Sequence, residues 1–117
     1  MREKIISYAK EKYATEPEYL WQKTPETFIL RNLKNKKWYV AVLRVKKSVF
    51  GYDDNTFIDI INLRCEPFTR ECLRSEGRCF PAYHMNKKNW ISIILDDKVD
   101  FKILCNIIDE SYNIINR

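Results

Sequence analysis

One stretch, Phe80-Pro81-Ala82-Tyr83-His84-Met85-Asn86-Lys87-Lys88-Asn89-Trp90, gathers most of the side chains that could do chemistry. It holds the only histidine, one of four prolines and one of three tryptophans, and it follows closely on Gly77 and Cys79. An imidazole near a thiol is the raw material of a base–nucleophile pair, and with a single histidine any such base must be His84. Nothing supplies the remaining parts. The chain has no G-x-S-x-G, no phosphate-cradling glycine loop and no paired-carboxylate motif. The expectation is therefore non-catalytic: Tyr83 and His84 tie their own loop to neighbouring carbonyls through O–H and N–H, and Cys79 packs as a small apolar side chain. Lys87 and Lys88 offer a second chemistry, point charges that can meet phosphate.

Four cysteines, Cys65, Cys72, Cys79 and Cys105, contain no C-x-x-C pair, and no second histidine accompanies them. That spacing predicts no metal site, and no cofactor is expected. Met1-Arg2-Glu3-Lys4 opens a charged amphipathic segment rather than a signal peptide, and no apolar run approaches the ~20 residues that span a bilayer. Four reduced thiols in a cytoplasmic protein, with no membrane contact, is the expectation.

The elements that position these residues follow from periodicity. Ile5, Ala9 and Tyr13, widened by Ile6, predict a helix over residues 2–14 that Pro17 forbids from continuing. Glu18-Tyr19-Leu20-Trp21 is expected to plug the core at the end of that helix. Strands are predicted over 27–31 and 37–45, joined as a hairpin by the polar turn 32–36, and over 57–64 as an inner strand. Residues 46–55 read as a loop. Pro67 suits the first position of a second helix that Gly77 stops, residues 90–95 form a further strand, and Asp100 caps a last helix with the stripe Leu104, Ile107, Ile108, Ser111, Tyr112 and Ile115. Tyr112 is expected to hydrogen-bond inward near the His84 stretch. The order is helix, three strands, helix, one or two strands, helix. It predicts an α+β fold, a mainly antiparallel sheet of about five strands with three helices, in one domain over residues 1–117.

Several motifs in this order resemble the MmcQ/YjbR family of small bacterial proteins over nearly the whole chain. They are Pro17-Glu18-Tyr19-Leu20-Trp21, Asn35-Lys36-Lys37-Trp38-Tyr39, Asn62-Leu63-Arg64-Cys65-Glu66-Pro67, Pro81-Ala82-Tyr83-His84-Met85-Asn86-Lys87 with Trp90, and Ser111-Tyr112. The resemblance implies a frataxin/CyaY-like fold with two β-hairpin wings flanking a helix, described as a double-wing DNA-binding motif. It also marks Trp38, Tyr83, His84, Asn86 and Tyr112 as family-motif residues with a structural or ligand role. Asn32 and Asn89 stand where the family commonly has histidine, which counts against a shared histidine chemistry.

With 45% hydrophobic and 32% charged residues the chain is globular rather than disordered, and its formal charge of +5 makes an anionic partner plausible. The expected nucleic-acid-binding residues are Lys34, Lys36, Lys37, Lys46, Lys47, Arg70, Arg74, Asn86, Lys87 and Lys88, acting mainly on phosphates of DNA. The alternative is a small-ligand or protein-interaction module, which Trp21, Trp38, Tyr39, Tyr83 and Trp90 would serve by lining one concavity.

Overall fold

Alternation along the strands creates two unlike sheet faces, and the helices cover only one of them. The structure is a computed structural model describing all residues, 1–117. Its elements are α1 (Arg2–Tyr13), β1 (Phe28–Arg31), β2 (Trp38–Lys46), a 3-10 turn (Lys47–Phe50), β3 (Phe57–Arg64), α2 (Pro67–Ser75), β4 (Phe80–Pro81), β5 (Trp90–Ile94) and α3 (Phe101–Ile115). The five strands form one antiparallel sheet in the order β1-β2-β3-β5-β4, an α+β architecture with β3 in the middle.

Register assigns the faces. Phe28 pairs with Val42, which pairs with Ile61 and so with Ile93; Leu30 aligns in the same way with Val40, Leu63 and Ile91. This face packs on Ile5 and Ala9 of α1, Leu73 of α2, and Leu104, Ile107, Ile108 and Ile115 of α3, forming the main core. The opposite face carries Ala41, Leu43, Val45, Ile60, Asn62, Ser92 and Ile94. Only Phe50, Phe80 and Tyr83 pack on part of it.

Caps account for the helix ends. Ala14, at φ 53°, closes α1 in the left-handed conformation, and the Thr15 N–H reaches the Ala9 carbonyl. The Asp100 carboxylate accepts from the Lys102 N–H at 2.9 Å, the expected N-cap of α3. Gly77, at φ 68°, follows α2 and donates to the Arg74 carbonyl.

Two polar ties hold the helices to the sheet. Ser111, fully buried on α3, accepts from the Arg64 N–H at 3.0 Å and donates to the Tyr39 carbonyl at 2.6 Å. On the outer flank, Tyr8 and Tyr13 of α1 donate to Asp109 of α3, and Lys12 pairs with the same carboxylate at 2.8 Å. Burial alone would raise the Asp109 carboxyl, but the hydrogen bonds from Lys12, Tyr13 and Tyr8 outweigh it and hold the group below its ordinary value.

The connector at 18–21 is not a core plug. Glu18 exchanges both backbone hydrogen bonds with Ile29, so the chain runs along the outer edge of β1. Tyr19, Leu20 and Trp21 are left 55%, 48% and 40% exposed. Backbone pairing at a free edge, not burial of the aromatic rings, fixes this segment. Glu18 is also ion-paired with Arg31, and that hydrogen bond holds its carboxyl below the ordinary value.

Replacing Ser111 with alanine leaves two buried backbone groups unpaired. Urea unfolding of Ser111→Ala is expected to show a loss of about 1–3 kcal/mol. Asp109 adds a pH dependence of definite sign. Its folded pKa lies below the unfolded value of about 3.9, so its contribution is complete above that pH and disappears as pH falls through the folded pKa. The urea midpoint should drop on acidification below about pH 4, and Asp109→Asn should flatten that drop.

Candidate functional site

Strand direction decides which charged loops can meet. β2 begins at the β1–β2 turn, β3 ends at Arg64 opposite Trp90, and β5 begins at Trp90. The turn at residues 32–37 and the loop at 82–89 therefore project from the same end of the sheet. Their centres are three strand spacings apart, about 14 Å. Lys34, Lys36, Lys37, Lys87 and Lys88 are all exposed there, and none forms an ion pair. The nearby acids are engaged: Glu18 with Arg31, and Glu66 with Arg117.

Both loops are held from beneath by amide side chains. Asn32 is buried; its Oδ1 accepts from the Lys34 N–H at 2.7 Å, and its Nδ2 donates to Asn116 at 2.7 Å and to the Tyr112 hydroxyl at 3.2 Å. Asn35 donates to the Ile115 carbonyl at the end of α3. Lys36, at φ 64°, turns the chain between them. In the second loop Asn62 Nδ2 donates to the Tyr83 carbonyl at 2.9 Å, and the Tyr83 N–H donates to Ser92 Oγ at 2.9 Å. Ser92 Oγ in turn donates to Asn62 Oδ1, and both side chains are fully buried. Asn86 accepts from the Lys88 N–H, which closes the lysine turn.

Tyr83 and His84 thus hold their loop through the Tyr83 backbone, not through ring O–H and N–H as expected. The His84 ring is exposed and lies against Tyr83, tilted by 45° with centroids 3.9 Å apart. His84 also adopts φ 59°, a region in which His, Asn and Asp are enriched among non-glycine residues. Tyr112 lies on the helix-covered face, stacked on Tyr13 at 3.7 Å and edge-on to Tyr39, away from the His84 stretch. The i, i+4 stripe of α3 that buries Ser111 carries Tyr112 toward α1 instead.

The remaining expected contacts separate. Arg70 donates to the carbonyls of Lys87 and Lys88 at 3.2 and 2.8 Å, so it supports the second loop from below. Arg74 is paired with Glu71 on its own helix. Lys46 and Lys47 lie at the other end of β2, about 26 Å from the lysine turns. That far end carries exposed Asp53, Asp96, Asp97 and Asp100.

Sequence reasoning missed Asn62, Ser92 and Arg64. Asn62 between Ile61 and Leu63, and Ser92 between Ile91 and Ile93, read as ordinary polar alternation in the sequence, and only the 82–89 loop that covers them makes them buried. Arg64, half-buried at the end of β3 between the two loops, sits over the Trp90 ring at 5.0 Å and has no carboxylate partner.

The uncovered sheet face forms a groove of about 660 Å³. Trp21 and Trp38, edge-to-face at 5.8 Å, make one wall; Tyr83, His84 and Met85 make the other; Ala41 and Leu43 make the floor. Arg44 and Lys46 also border it, and no aspartate or glutamate does. Burial pushes the Cys65, Cys79 and Cys105 thiols up, toward the protonated form.

The YjbR family model matches residues 10–114. The chain belongs to the YjbR family. The uncharacterized Bacillus subtilis (strain 168) protein YyaQ is 40% identical over 113 residues, 97% of this chain and 96% of YyaQ. Uncharacterized YbdF of Escherichia coli O157:H7 is 40% identical over 60 residues, 50% of this chain and 48% of YbdF. A crystal structure from Pseudomonas syringae superposes with a TM-score of 0.90 at 32% identity, covering 97% of both chains. A Deinococcus radiodurans crystal structure at 21% identity shares the fold alone, with a TM-score of 0.75 over 100% of this chain and 79% of that one.

In this YjbR-family chain, Asn62→Ala removes the acceptor of Ser92 and the donor to Tyr83 together. A loss of about 2–4 kcal/mol in urea unfolding is expected. Faster amide exchange at Tyr83, with Lys34 unchanged, would separate release of this loop from general loosening.

Proposed function

We propose that the protein binds DNA without catalysis, mainly through phosphate contacts from two basic wings. The observation that carries this reading is the shared direction of the two loops. Five exposed lysines without ion pairs converge at one sheet end, while at the other Lys46, Lys47 and Lys98 are offset by the exposed aspartates 53, 96, 97 and 100. Such a charge separation orients an anionic polymer and raises its rate of encounter. The loops are also rigid before contact, because Asn32, Asn35, Asn62, Ser92 and Arg70 fix their backbones. Little entropy is then lost on binding beyond that of the lysine side chains.

Two observations weigh against catalysis. The His84 imidazole hydrogen-bonds to no thiol or carboxylate, and three of the four thiols are held toward protonation. A phosphate-tracking role needs neither group.

Fluorescence anisotropy of labelled DNA across a salt series tests the proposal. If all five lysines neutralise duplex phosphates, log Kobs should fall with log salt at a slope of about −4.5. Lys36→Glu and Lys87→Glu should each weaken binding and flatten the slope, whereas Lys98→Glu at the acidic end should not weaken it. Absence of binding at low salt overturns the proposal.

A further inference from the structure

We propose that the uncovered sheet face is a track for single-stranded nucleic acid, with bases against the tryptophan wall and phosphates at lysines on both ends of β2. This inference rests on the DNA reading above and specifies the form of nucleic acid that the groove takes.

Four features point to this occupant. The first is wall chemistry: Trp21 is 40% exposed, although a tryptophan would ordinarily bury its ring, and it meets Trp38 edge-to-face on one wall of the open groove. Tyr83 and His84 supply a second pair of rings opposite, 3.9 Å apart and tilted by 45°. Base–aromatic stacking is indifferent to sequence and needs the base face free, which a duplex does not offer. The second is charge. The groove has Lys46 on its border and no carboxylate, while Arg44 pairs with Asp59 at 3.9 Å.

The third feature is length. Lys36 and Lys37 precede Trp38 at one end of β2, and Lys46 closes the other about 26 Å away. That span suits about four nucleotides, at the short end of single-strand site sizes. It also gives Lys46 a role apart from the wing end, since it lies at the opposite end of β2 from the lysine turns. An amphiphile with one anionic head would occupy one cationic end and leave the other unused. The fourth is rigidity. Trp38 opens the interior strand β2, paired with Arg31 of β1, and the Tyr83 wall is fixed through its backbone by Asn62 and Ser92.

The tryptophans report on the groove directly. Two of the three line it, and Trp90 is 5% exposed within the sheet. Labelled oligothymidylate of about ten nucleotides is titrated while anisotropy and intrinsic fluorescence are read together. Binding should quench the tryptophan emission. Trp38→Ala and Trp21→Ala should each weaken it about tenfold, and Trp38→Phe should restore most of the loss. A duplex of equal length should raise anisotropy with little quenching. Oligothymidylate binding without quenching, or binding unaffected by Trp21→Ala and Trp38→Ala, overturns the track and leaves the wing contacts standing. Loss of anisotropy change with both nucleic acids overturns the track together with the DNA reading. Quenching by polyglutamate equal to that by oligothymidylate would assign the groove to an acidic peptide and overturn the single-strand assignment.

Discussion

A buried asparagine in the middle of a sheet must find partners or cost several kilocalories per mole. Asn62 sits on the central strand with no exposure, and the loop at 82–89 supplies what it needs. Its amide donates to the Tyr83 carbonyl, its carbonyl oxygen accepts from Ser92, and Ser92 accepts from the Tyr83 N–H. This closed circuit leaves one backbone position for Tyr83. The consequences run outward in both directions. The Tyr83 and His84 rings become a fixed wall of the groove, and the chain beyond them must turn at Asn86 to re-enter the sheet at Trp90. The direction of Lys87 and Lys88 is thus set by hydrogen bonds beneath the sheet surface.

The other lysine turn is built by the same means from different parts. Asn32 and Asn35 use their amides to satisfy their own turn and the carboxyl end of α3 together. Orphan carbonyls at a helix end require donors, and cationic side chains near that end are favoured by the helix dipole. Aspartates 96, 97 and 100 crowd the amino end of the same helix. The dipole of α3 therefore agrees in sign with the charge separation across the domain. Asn32, buried and engaged through both its oxygen and its amide nitrogen, does structural work that needs no titration.

Much of the fold was legible because its signals are local. Strand alternation, Pro67, Gly77, Asp100 and the α3 stripe each specify an element without help from distant residues. Segment 18–21 was misjudged because its placement depends on a partner, Ile29, that pairs through backbone alone; aromatic composition suggested burial, and an open sheet edge won. The basic residues were legible by type but not by location. Lys46 and Lys47 belong to the far end because strand direction separates them from the turns, and Arg70 and Arg74 are already occupied by carbonyls and Glu71. Tyr112 was placed on the correct stripe and the wrong side of the sheet, since a helical stripe specifies a face of the helix and not the neighbour it meets.

His84 shows how a rare residue can mislead. Its scarcity in the chain suggested chemistry, yet its backbone lies at φ 59°, where β-branched or bulky residues pay a steric penalty and His is tolerated better than most. That geometry follows from the Tyr83 circuit: once the Tyr83 carbonyl and N–H are both committed inward, the next residue must reverse the chain before Asn86. A left-handed residue at 84 makes that reversal, and the imidazole is carried outward onto the Tyr83 ring. Glycine would satisfy the backbone as well, but it would leave the groove wall without its second ring. The identity of residue 84 then answers a backbone demand and an exposed ring position together.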